Sequence, residues 1–342
     1  MITLVFVLLL TACVAVGGKN APSAATSEID ASQDLITAAQ QEGSIVLYGS
    51  SPDPQLKAAA DGFKARYGIA VNYTRFSSGP MNDRVNTELK AGGLRGDVVI
   101  HADPNSLETW SSAGVFSKLP MVSGFPIDNP YHTAIKIDTQ GVMFNTQLVK
   151  DSDLQTWKDL LKPQFKGVIG LVGPKGSFGI AIGYYALMQD PSYGQAFFNE
   201  FASQKPTLTN MTPEAIAPLV ASGEYPLSVM ALESTVPNLK STSPDAPVAF
   251  KYLDVSGVVP TEISINAKAA HPRASELFAR WMMSREGQIA FNGDNRSSSP
   301  LGPLPGTAGQ PARIVLRAEP PADVNAAWPA LNDLFDRLYS GT

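Results

Sequence analysis

Short apolar runs alternate with amphipathic segments along this chain, and that rhythm leaves few folds open to it. Ser44-Ile45-Val46-Leu47-Tyr48 reads as a buried strand that breaks at the turn Gly49-Ser50-Ser51. Residues 54–67 then place Leu56, Ala60, Phe63 and Tyr67 on one face, with Lys57, Asp61 and Lys64 elsewhere. This is an amphipathic helix with Gly68 as its stop. Residues 69–76 predict a second strand, Ser77-Ser78-Gly79-Pro80 a turn, and the stretch to Leu89 a helix. Asp97-Val98-Val99-Ile100 is a third short strand. Strands and helices in this order imply a parallel sheet with helices on its faces. Ligands of such sheets bind beyond the carboxyl ends of the strands, where the turns at Ser50 and Ser51, at residues 77–79 and at residues 102–105 fall.

A second unit repeats the pattern. Residues 134–145 and 168–172 read as strands, and Gly173-Pro174-Lys175-Gly176-Ser177-Phe178-Gly179 is a glycine-rich turn leading into a helix to Gln189. Tyr193, Phe197 and Phe201 recur at helical spacing. Thr212-Pro213-Glu214 starts a helix, with Thr as cap and Pro at the first helical position. Residues 227–231 form a further strand that ends at Leu232-Glu233-Ser234-Thr235. Residues 250–267 are extended again, residues 273–291 predict one long helix, and a last helix spans about 324–339. At roughly 100–200 residues per domain, 342 residues suggest two domains.

Composition removes several function classes. With 44% hydrophobic and 17% charged residues the chain is not disordered. Its 26 Lys and Arg against 31 Asp and Glu leave no basic excess for nucleic acid. One cysteine excludes an internal disulfide, and three scattered histidines supply no zinc site without carboxylates. No G-x-S-x-G elbow, H-E-x-x-H or P-loop lysine nominates an enzyme.

The start of the chain, Ile2 onward, reads ITLVFVLLLTA, too short to span a bilayer but the length of a secretory signal. A buried N-terminal strand is the other reading. Leu10-Thr11-Ala12-Cys13 resembles the lipobox of bacterial lipoproteins, although no Lys or Arg precedes the apolar run. That resemblance implies a signal over residues 1–13, a lipid on Cys13 and a flexible tether over residues 14–30. The globule is then exported and held at the outer face of the cytoplasmic membrane, or lies in the periplasm.

The order of motifs also resembles a family. Ile45-Val46-Leu47-Tyr48 with its small turn, Ser78-Gly79 before Arg84 and Glu88, and Gly96-Asp97-Val98-Val99 come first. Gly141-Val142-Met143-Phe144-Asn145-Thr146, Trp157-Lys158-Asp159-Leu160, Ala221-Ser222-Gly223-Glu224, Ala270-His271-Pro272 and Ser284-Arg285-Glu286-Gly287-Gln288 follow. Together they resemble the extracellular solute-binding proteins of ATP-driven (ABC) importers. The ferric-iron branch is nearest, with its relatives that bind phosphonates, sugar phosphates and thiamine. The resemblance implies a two-lobed periplasmic-binding-protein fold of type II. Each lobe is a mostly parallel α/β sheet, two crossover strands join the lobes, and the ligand lies in the cleft. Residues 31–136 and 262–342 are expected in one lobe and 137–261 in the other, with the lobe of the last helix left open. The expected partners are a small anionic solute and a membrane permease. The resemblance also implies a monomer that carries no cofactor and catalyses nothing.

The family's iron site uses two consecutive tyrosines after the strand that matches residues 227–231. Here the chain reads Ala231-Leu232-Glu233-Ser234-Thr235. Tyr184-Tyr185 lies within a predicted helix, where neighbours point about 100° apart and do not share one ion. Iron is therefore the second choice, and a non-transport sensor or an enzyme on the same scaffold the third. What stands in place of the tyrosines is a set of hydroxyls. Ser50, Ser51, Ser77, Ser78, Ser177, Ser234 and Thr235 all fall in strand-to-helix turns, where backbone N–H groups and helix dipoles favour an anion. Gly79 and Gly179 permit close approach of the backbone, and Glu233 or Asp103 is placed to meet a cationic group on the ligand. Each serine is also what a turn or a helix cap selects by itself.

Overall fold

The computed structural model describes residues 31–309, 315–317 and 321–340. The signal, the tether and Cys13 lie outside the described residues. Helix α1 (Gln33–Glu42) leads into β1 (Ser44–Gly49), α2 (Asp53–Tyr67), β2 (Ala70–Arg75), α3 (Ser78–Lys90) and β3 (Val98–His101). Next come α4 (Pro104–Ser112), β4 (Phe116–Ser117), β5 (Thr133–Asn145), β6 (Ile169–Val172), α5 (Phe178–Gln189) and α6 (Gly194–Ala202). The chain continues through β7 (Thr207–Thr209), α7 (Pro213–Ser222), β8 (Leu227–Leu232), α8 (Thr235–Thr242), β9 (Val248–Lys251) and β10 (Val255–Asn266). It closes with α9 (Pro272–Met282), α10 (Arg285–Asn292), β11 (Val315–Arg317) and α11 (Pro321–Tyr339).

The strands run in the order β2-β1-β3-β10-β5-β8-β6-β7. β1 pairs in parallel with β2 and β3 at one end, and β6 in parallel with β7 and β8 at the other. Between these parallel halves lie the two long strands β5 and β10, antiparallel to each other from Thr133↔Ile263 to Thr139↔Val258. β5 starts beside β10 and ends beside β8 and β9, while β10 returns to lie against β3. The chain thus crosses between two half-sheets twice, and the result is the expected two-lobed α/β fold.

Each half has its own apolar core. Phe63, Phe278 and Trp281 meet beneath the first half-sheet. Trp157, Tyr184, Phe198 and Phe335 belong to the core of the second. Tyr184 is buried there and donates its hydroxyl to the Val172 carbonyl at 2.6 Å. The last helix turns Leu331, Phe335 and Tyr339 onto this second core, and the Tyr339 hydroxyl donates to the Phe198 carbonyl.

The single helix expected over residues 273–291 is two. Met283 and Ser284 break it, because the Ser284 hydroxyl accepts the Gly287 N–H and so begins a new helix. A side chain on Gly287 would collide with the Trp281 carbonyl, so the tight corner requires glycine.

Candidate functional site

Four helix N-termini converge where the two halves face each other. The first half contributes Ser50, Ser51 and Pro52 ahead of α2, and Arg75, Ser77 and Ser78 at the start of α3. The second contributes Ser177 and Gly179 at α5, and Thr212, Pro213 and Glu214 at α7. These residues line one cavity of about 70 Å³. Its base is built by the crossover strands, through Lys136 and Asp138 of β5 and Val259 and Thr261 of β10.

Helix starts leave their first N–H groups without intrahelical partners, and their dipoles favour a negative ligand. Ser77 and Ser177 precede α3 and α5 with extended backbone and no side-chain capping bond. The Ser50 hydroxyl accepts the Ala102 N–H at 2.9 Å. Ser51 is 2% exposed, and its hydroxyl has no hydrogen-bond partner among the described residues. Gly179 lets α5 rest on the crossover, since a Cβ there would stand 3.0 Å from Val259 Cγ1.

A buried ion pair sits at the base. Lys136 Nζ lies 2.6 Å from Asp138 Oδ2, and each side chain is 2% exposed. Burial raises the Asp138 carboxyl above its ordinary range despite the pull of the lysine, and Glu214 pushes the same way. Asp138 Oδ1 makes no hydrogen bond among the described residues.

The structure brings Ser50, Ser51, Ser77, Ser78, Ser177 and Gly179 to one hollow. Other predicted site residues lie elsewhere. Gly79 is in the first turn of α3 but outside the cavity wall. Asp103 turns inward to cap α4, accepting from the N–H groups of Asn105 and Ser106, from the Ser106 hydroxyl and from Asn82 Nδ2. Glu233 is buried behind the wall, where it accepts the Tyr252 hydroxyl at 2.7 Å and the Ser298 N–H at 2.9 Å. Ser234 is fully buried beside Asp138 and favours its charged form, without a well-formed hydrogen bond of its own. Thr235 accepts the Leu232 N–H and borders a neighbouring hollow that shares Pro52, Arg75 and Glu214 with the first. Asp103, Glu233 and Thr235 follow a strand or start a helix as expected, but their side chains find donors within the fold.

Sequence reasoning missed Lys136, Asp138, Thr212, Glu214 and Thr261. The signal for the first two was present. Lys136-Ile137-Asp138 puts two charges at period two in a segment otherwise apolar, which sends both to one face of a strand.

Two half-sheets joined by paired crossovers hold one polar hollow between them. The family model of the bacterial extracellular solute-binding proteins matches residues 49–289, and the chain belongs to that family. It is therefore a bacterial extracellular solute-binding protein. The substrate-binding protein of an ABC transporter from Agrobacterium tumefaciens is similar at TM-score 0.70 and 17% identity, over 85% of this chain and 94% of that one. Iron-bound HitA from Pseudomonas aeruginosa gives 0.65 and 20%, over 85% and 99%. The periplasmic binding protein AfuA from Actinobacillus pleuropneumoniae, with fructose-6-phosphate bound, gives 0.62 and 18%, over 88% and 99%. At these identities the likeness is one of fold. No curated protein sequence matches the chain.

Proposed function

We propose that this protein captures a small anionic solute, such as a phosphonate or a sugar phosphate, by closing its lobes, and delivers it to the permease. One observation carries the reading: four helix starts from both halves, with Lys136 at the base, surround one cavity. Hydrogen bonds from preorganised donors to an ionised acceptor are the strong ones. A ligand that touches both halves favours the closed form by its differential contacts alone. Lipid on Cys13 would hold the protein at the membrane, and one copy suffices because both halves of the site come from one chain.

A ferric ligand is the second reading, favoured by the likeness to iron-bound HitA. A hard trivalent cation requires several anionic oxygens. The cavity wall offers Asp138 and Glu214, and no tyrosine among the described residues. Calorimetry and thermal shift with inorganic phosphate, methylphosphonate, glucose-6-phosphate and ferric citrate test both readings. Saturable binding of a phosphorus oxyanion supports the first. Tight ferric binding with a carboxylate or phenolate charge-transfer band, and none of the anions, supports the second.

A further inference from the structure

Helix α11 is anchored in the second half but reaches past it. Phe335 packs on Tyr184 with ring centroids 4.3 Å apart, and the Tyr339 hydroxyl donates to the Phe198 carbonyl at 2.9 Å. The helix is also tied to the turn that carries Ser177. Trp328 Nε1 donates to the Pro174 carbonyl at 2.8 Å, and Lys175 Nζ lies 2.7 Å from Asp336 Oδ2. Val324 is fully buried in one apolar cluster with Phe178, Ile182 and Val259.

The start of the same helix meets the first half. α11 lies against α4, and Ala322 closes one side of a hollow of about 340 Å³. The other walls belong to the first half: Asn105 and Glu108 of α4, Asp128 and His132 ahead of β5, and Glu262 of β10. This hollow shares no lining residue with the cavity that holds the serines. The two ends of α11 are therefore held differently. The anchored end is close-packed, whereas the start faces open space, and a contact with that much room in it parts without breaking a core.

Charge explains why the start settles there. The first N–H groups of a helix lack intrahelical partners and form the positive end of its dipole. Opposite them stand the carboxylates of Glu108, Asp128 and Glu262 around one imidazole. Burial works against a charge on His132, but its bonds to Glu262 and, at 3.2 Å, to Glu108 outweigh burial and raise it above its ordinary range. Three carboxylates against one imidazolium still leave the wall negative.

We propose that α11 is a strap: its start latches onto the acidic hollow of the first half as the lobes come together, and so favours the closed form before any solute arrives. Because α11 is fastened to the turn that carries Ser177, the movement that brings Ser177 to the cavity also brings Ala322 to α4. A contact made in one arrangement and lost in the other shifts the balance by its own differential energy. The inference rests on lobe closure and on no particular solute.

The test reverses the charge at one position. Ala322 is exposed, and an acidic residue suits the first turn of a helix, so Ala322→Glu should fold normally while setting a carboxylate against Glu108, Asp128 and Glu262. Ala322→Lys puts a cation in the same place. Asp83 of α3 and Ala215 of α7 are exposed on helices whose starts line the cavity from opposite halves. Spin labels on Asp83→Cys and Ala215→Cys, combined with Cys13→Ser, report the distance across the cleft by double electron–electron resonance. Without solute and at low salt, the ratio of open to closed protein should be about three- to tenfold higher in Ala322→Glu than in Ala322→Lys, the size a few surface charge pairs produce. Equal ratios, or the reverse order, overturn the strap. Closure is judged separately by adding inorganic phosphate, methylphosphonate or glucose-6-phosphate to the labelled protein with Ala322 unaltered. A distance shortened by one of them beside equal ratios leaves capture by closure standing, and one unchanging distance in every sample overturns both.

Discussion

The Glu233 carboxyl accepts the Ser298 N–H at 2.9 Å, a bond that joins the end of β8 in the second half to the loop after α10 in the first. Ser298 also pairs with Ile137 on the crossover strand, so one carboxyl, one loop and that strand form a connected unit. Burial first, and the Asp138 charge second, push Glu233 up to about 8.

A pH dependence follows from that value. In the unfolded chain Glu233 loses its proton near 4.5, whereas in the fold it keeps it to about 8. Between those limits the folded state binds more protons, so its contribution to stability falls as pH rises. The melting temperature is expected to drop from pH 5 to pH 8 more steeply in the unaltered protein than in Glu233→Gln. Parallel curves for the two proteins would show that Glu233 titrates normally.

His101 produces the opposite limb. It is fully buried, stacks on Trp110 and shares a 2.8 Å hydrogen bond with Asn82. Burial lowers it to about 4. The unfolded state therefore takes up a proton first, and stability is lost as pH falls from about 6.5 towards about 4. Urea titrations of His101→Gln across that range should show a flatter acid side than the unaltered protein.

Lys136 and Asp138 are expected to be costly to separate. Lys136→Met leaves a buried carboxylate without its partner and should destabilise by about 3–5 kcal/mol, read by chemical denaturation. Lys136→Met combined with Asp138→Leu should recover much of that loss, since an apolar pair of similar volume replaces both charges. Neither variant should bind an anion. A double variant as unstable as the single one would contradict this account.

The hydroxyls are expected to divide by position. Ser51→Ala and Ser177→Ala should each weaken an anionic ligand by roughly three- to thirtyfold, on about 1–2 kcal/mol per lost hydrogen bond. Asp103→Ala should instead lower the melting temperature through loss of the α4 cap, with affinity little changed. Titration calorimetry beside melting curves separates the two outcomes.

Gly257 should not tolerate a side chain. A Cβ there would meet the Gln140 amide and stand 3.0 Å from Gly183 Cα, where α5 packs on the crossover strands. Gln140 is itself fixed, because its Nε2 donates to the Gly179 carbonyl. Gly257→Ala is expected to cost about 1–3 kcal/mol as overpacking, measured by denaturation. An unchanged midpoint would mean that the crossover strands give way.

The alternation of apolar runs and amphipathic helices was legible because each β1-α2-type step carries its own periodicity and stop, as Phe63, Tyr67 and Gly68 show. The turns bearing Ser51, Ser77 and Ser177 were legible for the same reason, since topology puts strand ends together. Which side chains point inward was not. Asp103 and Thr235 have the same turn chemistry as Ser77, and only the donors available around them decide that they serve the fold. The break at Ser284 was hidden because Trp281, Met282 and Ile289 keep an apolar spacing across it, while a local cap overrides that spacing. The last helix gave no clue to its lobe, because an apolar face does not name the surface it covers.

The two crossovers lie side by side and are hydrogen-bonded to each other from Thr133 to Thr139. Neither can bend without dragging the other, so any turning of the halves would run about one shared ribbon and not a loose linker. Lys136 and Asp138 belong to that ribbon. Whatever parts Ser51 from Ser177 also twists the ground on which those charges stand. On the proposed reading, letting go of the cargo and unmaking the grip that recognised it would be a single mechanical act.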